Sequence, residues 1–176
     1  MYRGGLMSYK HLRKDLTLWM KEDQHSACRF TTMVDLYRIP DDMPGYAASR
    51  GIPDPVQRVK FLEHQLQSDI GDRRLVPYIQ LHEFEALLFS DPASFSVPFP
   101  DSPEKIATLA QIRRQAASPE HIDDGDETSP SKLICSLFPQ YAKTVHGLII
   151  ARETGLPKIR EACSHFNEWI ETLLRL

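Results

Sequence analysis

The stretch VPYIQLHEFEALLFSDP, Val76–Pro92, decides the fold. Its opening residues Val76, Tyr78, Ile79 and Leu81, led in by Leu75, predict a strand over 74–82. Pro77 inside that strand points to an edge position or a bulge, because proline has no N–H to give a ladder. The following EALLF is helix-prone. Where strand gives way to helix stand three ionisable residues, His82, Glu83 and Glu85, in otherwise apolar sequence. Burying such groups is costly unless something pairs with them.

Upstream, CRFTTMVDLY (28–37) is rich in β-branched and aromatic residues and predicts a second buried strand, ending at Asp35. Residues 8–22 read as a helix, with Ser8 as N-cap and Tyr9, Leu12, Leu16, Trp19 and Met20 on one face. A loop punctuated by Pro and Gly covers 38–55. Asp54, Pro55 and Gln57 then form a capping-box start. Val56, Val59, Leu62, Leu66 and Ile70 recur at helical spacing, and Gly71 stops the helix. Helix, strand, helix, strand implies an α/β fold, a small parallel sheet flanked by helices.

Downstream the pattern is helical. Ser102 and Pro103 open a helix to about Ser118, and a polar acidic loop fills 118–130. Pro130–Phe138 and Tyr141–Glu153 are helix candidates, the latter closed near Gly155. One long final helix is expected from Pro157, carrying Ile159, Ala162, Cys163, Phe166, Trp169, Ile170, Leu173 and Leu174. The organisation expected is a single domain over 1–176, with an α/β part over 1–92 and a mostly helical part over 93–176. Two strands make a small sheet. Either the second half hides strands, or a piece of the sheet is missing.

The composition is that of an ordinary globular domain: 176 residues, 41% hydrophobic and 26% charged. A net charge of -3 and a pI of about 6.2 give no global basic field, which leaves room only for a local basic patch. Cys28, Cys135 and Cys163 fit neither a disulfide framework nor a zinc pattern. Buried free thiols are expected, in a reducing, cytoplasmic setting. No apolar run reaches the roughly 20 residues a membrane span needs, and no signal-peptide pattern opens the sequence.

Candidate chemistry gathers at the strand ends. Asp35 closes the first strand, where ligands of open α/β sheets collect. It reads as a metal-binding carboxylate, or else as a turn cap or a partner of Arg38. His82-Glu83-Phe84-Glu85 is no zincin motif, because Ala86 stands where the second histidine belongs. Glu83 and Glu85 suit the positive end of a helix dipole. The alternative is that they join Asp35 around Mg²⁺, a hard ion that takes oxygen ligands and activates water for phosphodiester cleavage. DDGDE (123–127) lacks calcium-loop spacing and reads as a solvated loop. Gly4-Gly5 is a weak phosphate-approach signal. Arg13, Lys14, Arg73, Arg74, Arg113, Arg114 and Lys132 are scattered basics that could meet phosphates if the fold gathers them.

RGGLMSYKHLRKDL, TTMVDLYRIPDDMPG, YIQLHEFEALLFSDP, IDDGDETSPSK and the ending CSHFNEWIETLLRL occur in this order. Together they resemble an uncharacterised bacterial Toprim-like family, which includes RloG-type proteins and the AriB subunit of the PARIS phage-defence system. The resemblance implies a Toprim-like fold and a Mg²⁺- or Mn²⁺-dependent nuclease acting on nucleic acid. Asp35 matches the first acid of the family's later acidic pair, and Tyr37 stands where the second is usual. Glu83 and Glu85 would complete the metal set, His82 would orient a carboxylate or contact phosphate, and Lys132 would contact phosphate. Family members usually begin with a strand and an E-G-x-T-E segment carrying the first catalytic Glu. No such segment occurs from Met1 to Leu176, so the sheet is expected to be incomplete at its N-terminal side. The alternative reading is a catalytically inactive interaction module partnering an ATPase. An open sheet edge would also allow a homodimer.

Overall fold

The computed structural model describes residues 6–122 and 129–176. The Gly4-Gly5 pair and the DDGDE run lie outside the described residues. The chain forms two compact units. One runs to Leu81 and takes in Glu171–Leu176, and the other is His82–Ile170. The boundary therefore falls inside the Val76–Pro92 stretch.

The first unit is α/β. It contains α1 (Tyr9–Glu22), β1 (Phe30–Thr31), β2 (Val34–Asp35), α2 (Tyr46–Ser49), α3 (Pro55–Ile70), β3 (Leu75–Val76) and β4 (Ile79–Gln80). β1 pairs in parallel with β3, and β2 with β4. In every pair the partners lie 45 positions apart: Phe30 faces Leu75, Thr31 faces Val76, Val34 faces Ile79 and Asp35 faces Gln80. One register thus runs through both ladders, and each long strand expected from the sequence is broken in the middle.

The break has a chemical cause. The register sets Thr32 opposite Pro77, which has no N–H to offer. The Thr32 hydroxyl bridges the gap instead. It accepts from the Tyr78 N–H at 3.0 Å and donates to the Tyr78 carbonyl at 3.1 Å, both buried. Next to it, the Thr31 hydroxyl donates to the Val76 carbonyl at 2.7 Å. α3 closes the remaining strand groups. Glu63 accepts from the Ile79 N–H at 2.7 Å, and the Gln67 amide donates to the Leu75 carbonyl at 3.1 Å.

α1 and α3 begin and end where their sequence says. Ser8 accepts from the His11 N–H, and Asp54 from the Gln57 N–H at 2.8 Å. Gly71 closes α3 at φ +69°, a conformation that favours glycine. Asp42 adds bonds from the Tyr9 and Lys10 N–H groups at the start of α1. Arg74 donates to the Met20 and Asp23 carbonyls at its end, so this cation is spent on the helix terminus. Leu16, Met20, Val59, Leu62, Leu66, Leu75 and Ile79 form the centre of the core. Trp19, expected on the buried face, is 54% exposed. α2 lies in the stretch read as loop.

The second unit is helical among its described residues: α4 (Glu85–Leu88), α5 (Pro103–Gln115), α6 (Pro130–Leu137), α7 (Leu148–Thr154), α8 (Leu156–Ala162) and the start of α9 (Ser164–Leu174). Its core is aromatic. Phe99 stacks on Phe138 with ring centroids 4.5 Å apart, and Phe95 lies 5.7 Å from Phe138. Two expectations are corrected here. The helix expected over 141–153 opens as a wide π-helical turn at Lys143–Gly147 before α7. The single final helix is two, α8 and α9, split at Cys163, whose backbone is extended (φ -120°, ψ 96°). The fully buried Glu120 imposes the split: its carboxylate accepts from the His165 N–H at 3.1 Å and the Phe166 N–H at 2.9 Å, capping α9. The expectation for the cysteines holds for one alone, since Cys163 is buried, Cys135 exposed and Cys28 intermediate. No helix among the described residues is long and apolar enough to cross a membrane.

Two stability measurements check these contacts. Thr32→Val leaves the Tyr78 N–H and carbonyl buried without their partner, and should cost about 3 kcal/mol in urea unfolding, whereas Thr32→Ser should cost about 1 kcal/mol or less. An unchanged midpoint for the valine variant would show that the hydroxyl does not bridge the ladder. Burial pushes the Cys163 thiol up to about 12. The unfolded thiol ionises near its ordinary value and the folded one resists. The stability it contributes is complete below the unfolded value and is lost as pH rises towards 12. Cys163→Ala should flatten that alkaline loss relative to the wild type.

Candidate functional site

The chain enters the second unit through His82, a buried residue held at φ +61°. A left-handed backbone at a side-chain-bearing residue is uncommon and costs on the order of 1 kcal/mol or more, so the surroundings must hold it there. The ring does so. Its Nε2 lies 3.0 Å from the Glu120 carbonyl, which fixes that nitrogen as the protonated donor. Glu120 therefore works twice, as an anchor for His82 through its carbonyl and as the α9 cap through its carboxylate.

This anchored bend delivers Glu83 and Glu85 to one place. Glu83 lies just ahead of α4 and Glu85 is its first residue. They are 7% and 2% exposed. Their carboxylates converge on a single ammonium: Lys143 Nζ is 3.1 Å from Glu85 Oε1 and 3.6 Å from Glu83 Oε2. The Lys143 side chain is 57% exposed, so the cation enters a buried acidic pair from the solvent side. Lys143 opens the π-helical turn, a wide turn of the kind that recurs at functional sites. The Ala142 N–H donates to His146 Nδ1 at 2.8 Å and so steadies that turn.

Tyr141 completes the group. It is buried, and its hydroxyl makes no hydrogen bond of acceptable geometry among the described residues. Burial first, then the negative charge of Glu85, raise its phenol above the ordinary range. Gly147 leaves the room it needs. A Cβ at Gly147 would stand 2.9 Å from Tyr141 Oη and 3.7 Å from the Phe84 ring, although the backbone there (φ -59°) suits any residue. Two buried carboxylates, one cation reaching in from solvent and a buried phenol beside Glu85 can receive a small cation or a polar ligand. Glu83 Oε2 likewise has no hydrogen bond, only the longer of the two ion pairs. Both atoms have room for a further hydrogen-bond partner.

A family model described as domain of unknown function (DUF4276) matches residues 2–174. The chain belongs to the DUF4276 family. No curated protein and no solved structure matches it.

The remaining expected site residues of this DUF4276 chain are placed as follows. Asp35 is exposed at the C-terminal end of β2 in the first unit, opposite Gln80. Lys132 is exposed on α6 in the second unit. Among the described residues, no group of three or more His, Cys, Asp or Glu side chains is arranged to hold a metal ion. The geometry at hand is that of the Glu83–Glu85 pair. His82 bonds through its Nε2 to the Glu120 backbone carbonyl. Tyr141, Lys143, Gly147 and Glu120 were not singled out from the sequence. Lys143 stands 58 positions from Glu85, and nothing periodic links them. Gly147, a glycine inside a helical pattern, was the one local hint of close approach.

Glu120→Ala should leave two backbone donors of α9 without their acceptor while keeping the carbonyl that holds His82, costing about 3 kcal/mol in denaturant unfolding. Glu120→Gln, which keeps one acceptor oxygen, should cost less. Equal, small losses in both variants would show that the carboxylate does not carry the cap.

Proposed function

We propose that this chain is a Toprim-like nuclease, dependent on Mg²⁺ or Mn²⁺, acting on nucleic acid in phage defence, with Glu83 and Glu85 holding the ion. The observation that carries the reading is the Lys143 ammonium between the two carboxylates, a cation standing where a metal would stand. The donor set suits a hard ion, since Mg²⁺ is commonly held by one or two carboxylates with waters filling the rest. When bound, the ion would lower the pKa of a water and neutralise phosphate charge. The chain's own residues do the rest. Glu83 and Glu85 supply the negative cradle, His82 fixes the bend that presents them, and Tyr141 offers an O–H to a ligand oxygen. Lys143, freed towards solvent, and Lys132 provide charge for phosphate. Asp35, on the first unit, enters only through its own test: unchanged Mn²⁺ affinity in Asp35→Ala removes it from the ligand set.

A second reading is an inactive interaction module that docks on an ATPase. It is favoured by Val145, Leu148 and Ile149, three large apolar side chains exposed on the segment that Lys143 opens. In that case the Glu83–Lys143–Glu85 group is a satisfied buried ion cluster and nothing more.

Titration with Mn²⁺, followed by electron paramagnetic resonance, separates the two. On the metal reading, Glu85→Gln should weaken binding at least tenfold. Lys143→Met should strengthen it severalfold, because the competing ammonium is gone, while lowering cleavage of an oligonucleotide. If the wild type and Lys143→Met both bind no Mn²⁺ at millimolar concentration, the cluster is structural and the metal reading falls.

A further inference from the structure

The outer face of α1 carries a concentration of positive charge that the composition hides. Lys10, Lys14 and Lys21 stand exposed with His11, Thr17 and Leu18 around a shallow open groove of about 580 Å³, with Arg13 at its edge. At 3.6 residues per turn, positions 10, 14, 17 and 21 fall on one line, about 16 Å long at about 1.5 Å rise per residue. Arg13 is fixed by Asp69 at 2.8 Å. Among the described residues no carboxylate lies within ion-pair distance of Lys10, Lys14 or Lys21. The two acids of the helix, Asp15 and Glu22, turn away from this line. The chain as a whole has a net charge of -3, so the stripe is a local feature and not a sample of a basic surface.

We infer that this face of α1 binds the phosphate backbone of a nucleic-acid strand. A row of unpaired ammonium groups along a straight helix matches a polymer of regularly spaced negative charge, and gains affinity from the counterions that polymer releases. A membrane is a poor match. The main apolar stripe of α1, Tyr9, Leu16 and Met20, is already buried in the core of its unit, which leaves only Leu18 and Trp19, 48% and 54% exposed, to meet a bilayer. The inference shares its ligand class with the function proposed above but uses none of the residues of that site, and it needs no metal.

The test is fluorescence anisotropy with a labelled single-stranded oligonucleotide of about 20 nucleotides, in EDTA, across a salt series. Three phosphate contacts at a slope of about 0.7 each predict that Lys10→Gln/Lys14→Gln/Lys21→Gln weakens binding about 100-fold near 0.1 M salt and flattens the log–log salt slope by about 2. Lys105→Gln/Arg114→Gln, which removes exposed charge from α5, should change neither. Circular dichroism melting confirms that both variants fold. The inference is overturned if the triple variant binds as the wild type does, or if the α5 variant loses as much. It is also overturned if a poly-glutamate peptide or anionic vesicles compete better than the oligonucleotide at equal charge. Because the measurement excludes metal, a failure of cleavage leaves it intact, and its own failure leaves Mn²⁺ binding at Glu83 and Glu85 untouched.

Discussion

Pro77 cannot donate a hydrogen bond, and the small sheet is organised around that deficit. A parallel pair of strands is among the least forgiving places for a missing N–H, because its bonds are evenly spaced and its faces are covered. Here the fault is contained. Thr32, set opposite Pro77 by the common register, turns its hydroxyl on Tyr78 and serves both backbone groups there. The register survives the interruption, and β2 and β4 resume with the same partners they would have had without it. α3 supplies the last bonds from Glu63 and Gln67.

The second unit solves a different problem, that of carboxylates placed among apolar side chains. Each solution differs in kind. Glu120 is fully buried and is satisfied by backbone N–H groups at the head of α9, where its charge also suits the helix dipole. Glu83 and Glu85 are satisfied by one lysine reaching in from solvent. The first arrangement is closed, with each oxygen bonded to a rigid partner. The second is open, since among the described residues its counter-charge is a lysine whose side chain is 57% exposed, and one oxygen lacks a hydrogen bond. An open arrangement of this kind can exchange its cation for another, which is why chemistry is sought at Glu83 and Glu85 and not at Glu120.

Much of the local structure was legible in the sequence, for local reasons. Ser8 and Asp54 cap helices because a side-chain oxygen three residues ahead of an N–H is a short-range fact. Gly71 ends α3 because few residues but glycine accept its backbone angles. The acids of the HEFE stretch stood out because ionisable groups in an apolar run demand partners. The errors were non-local. Trp19 fits the helical period but lies at the border of the stripe, so the period alone put it inside. The last helix reads as continuous because its apolar spacing continues through Cys163. The break comes from Glu120, more than forty positions away.

The sequence by itself determined the alternation of helix and strand, the parallel sheet it implies, the caps, and the presence of two acids, Glu83 and Glu85, in an apolar run that must find partners for them. Those follow from neighbours in the chain, whose spacing is written in the order of residues. Tertiary structure alone decided which groups answer those acids: Lys143 for Glu83 and Glu85, backbone amides for Glu120, and the room at Gly147 for Tyr141. It also decided that Lys10, Lys14 and Lys21 would stand in one line with no ion pair among the described residues, while Arg74 was held by Asp72 and by carbonyls at a helix end. Charge is long-ranged and its pairing depends on folded distance, and distance between remote residues is the one quantity a sequence does not carry.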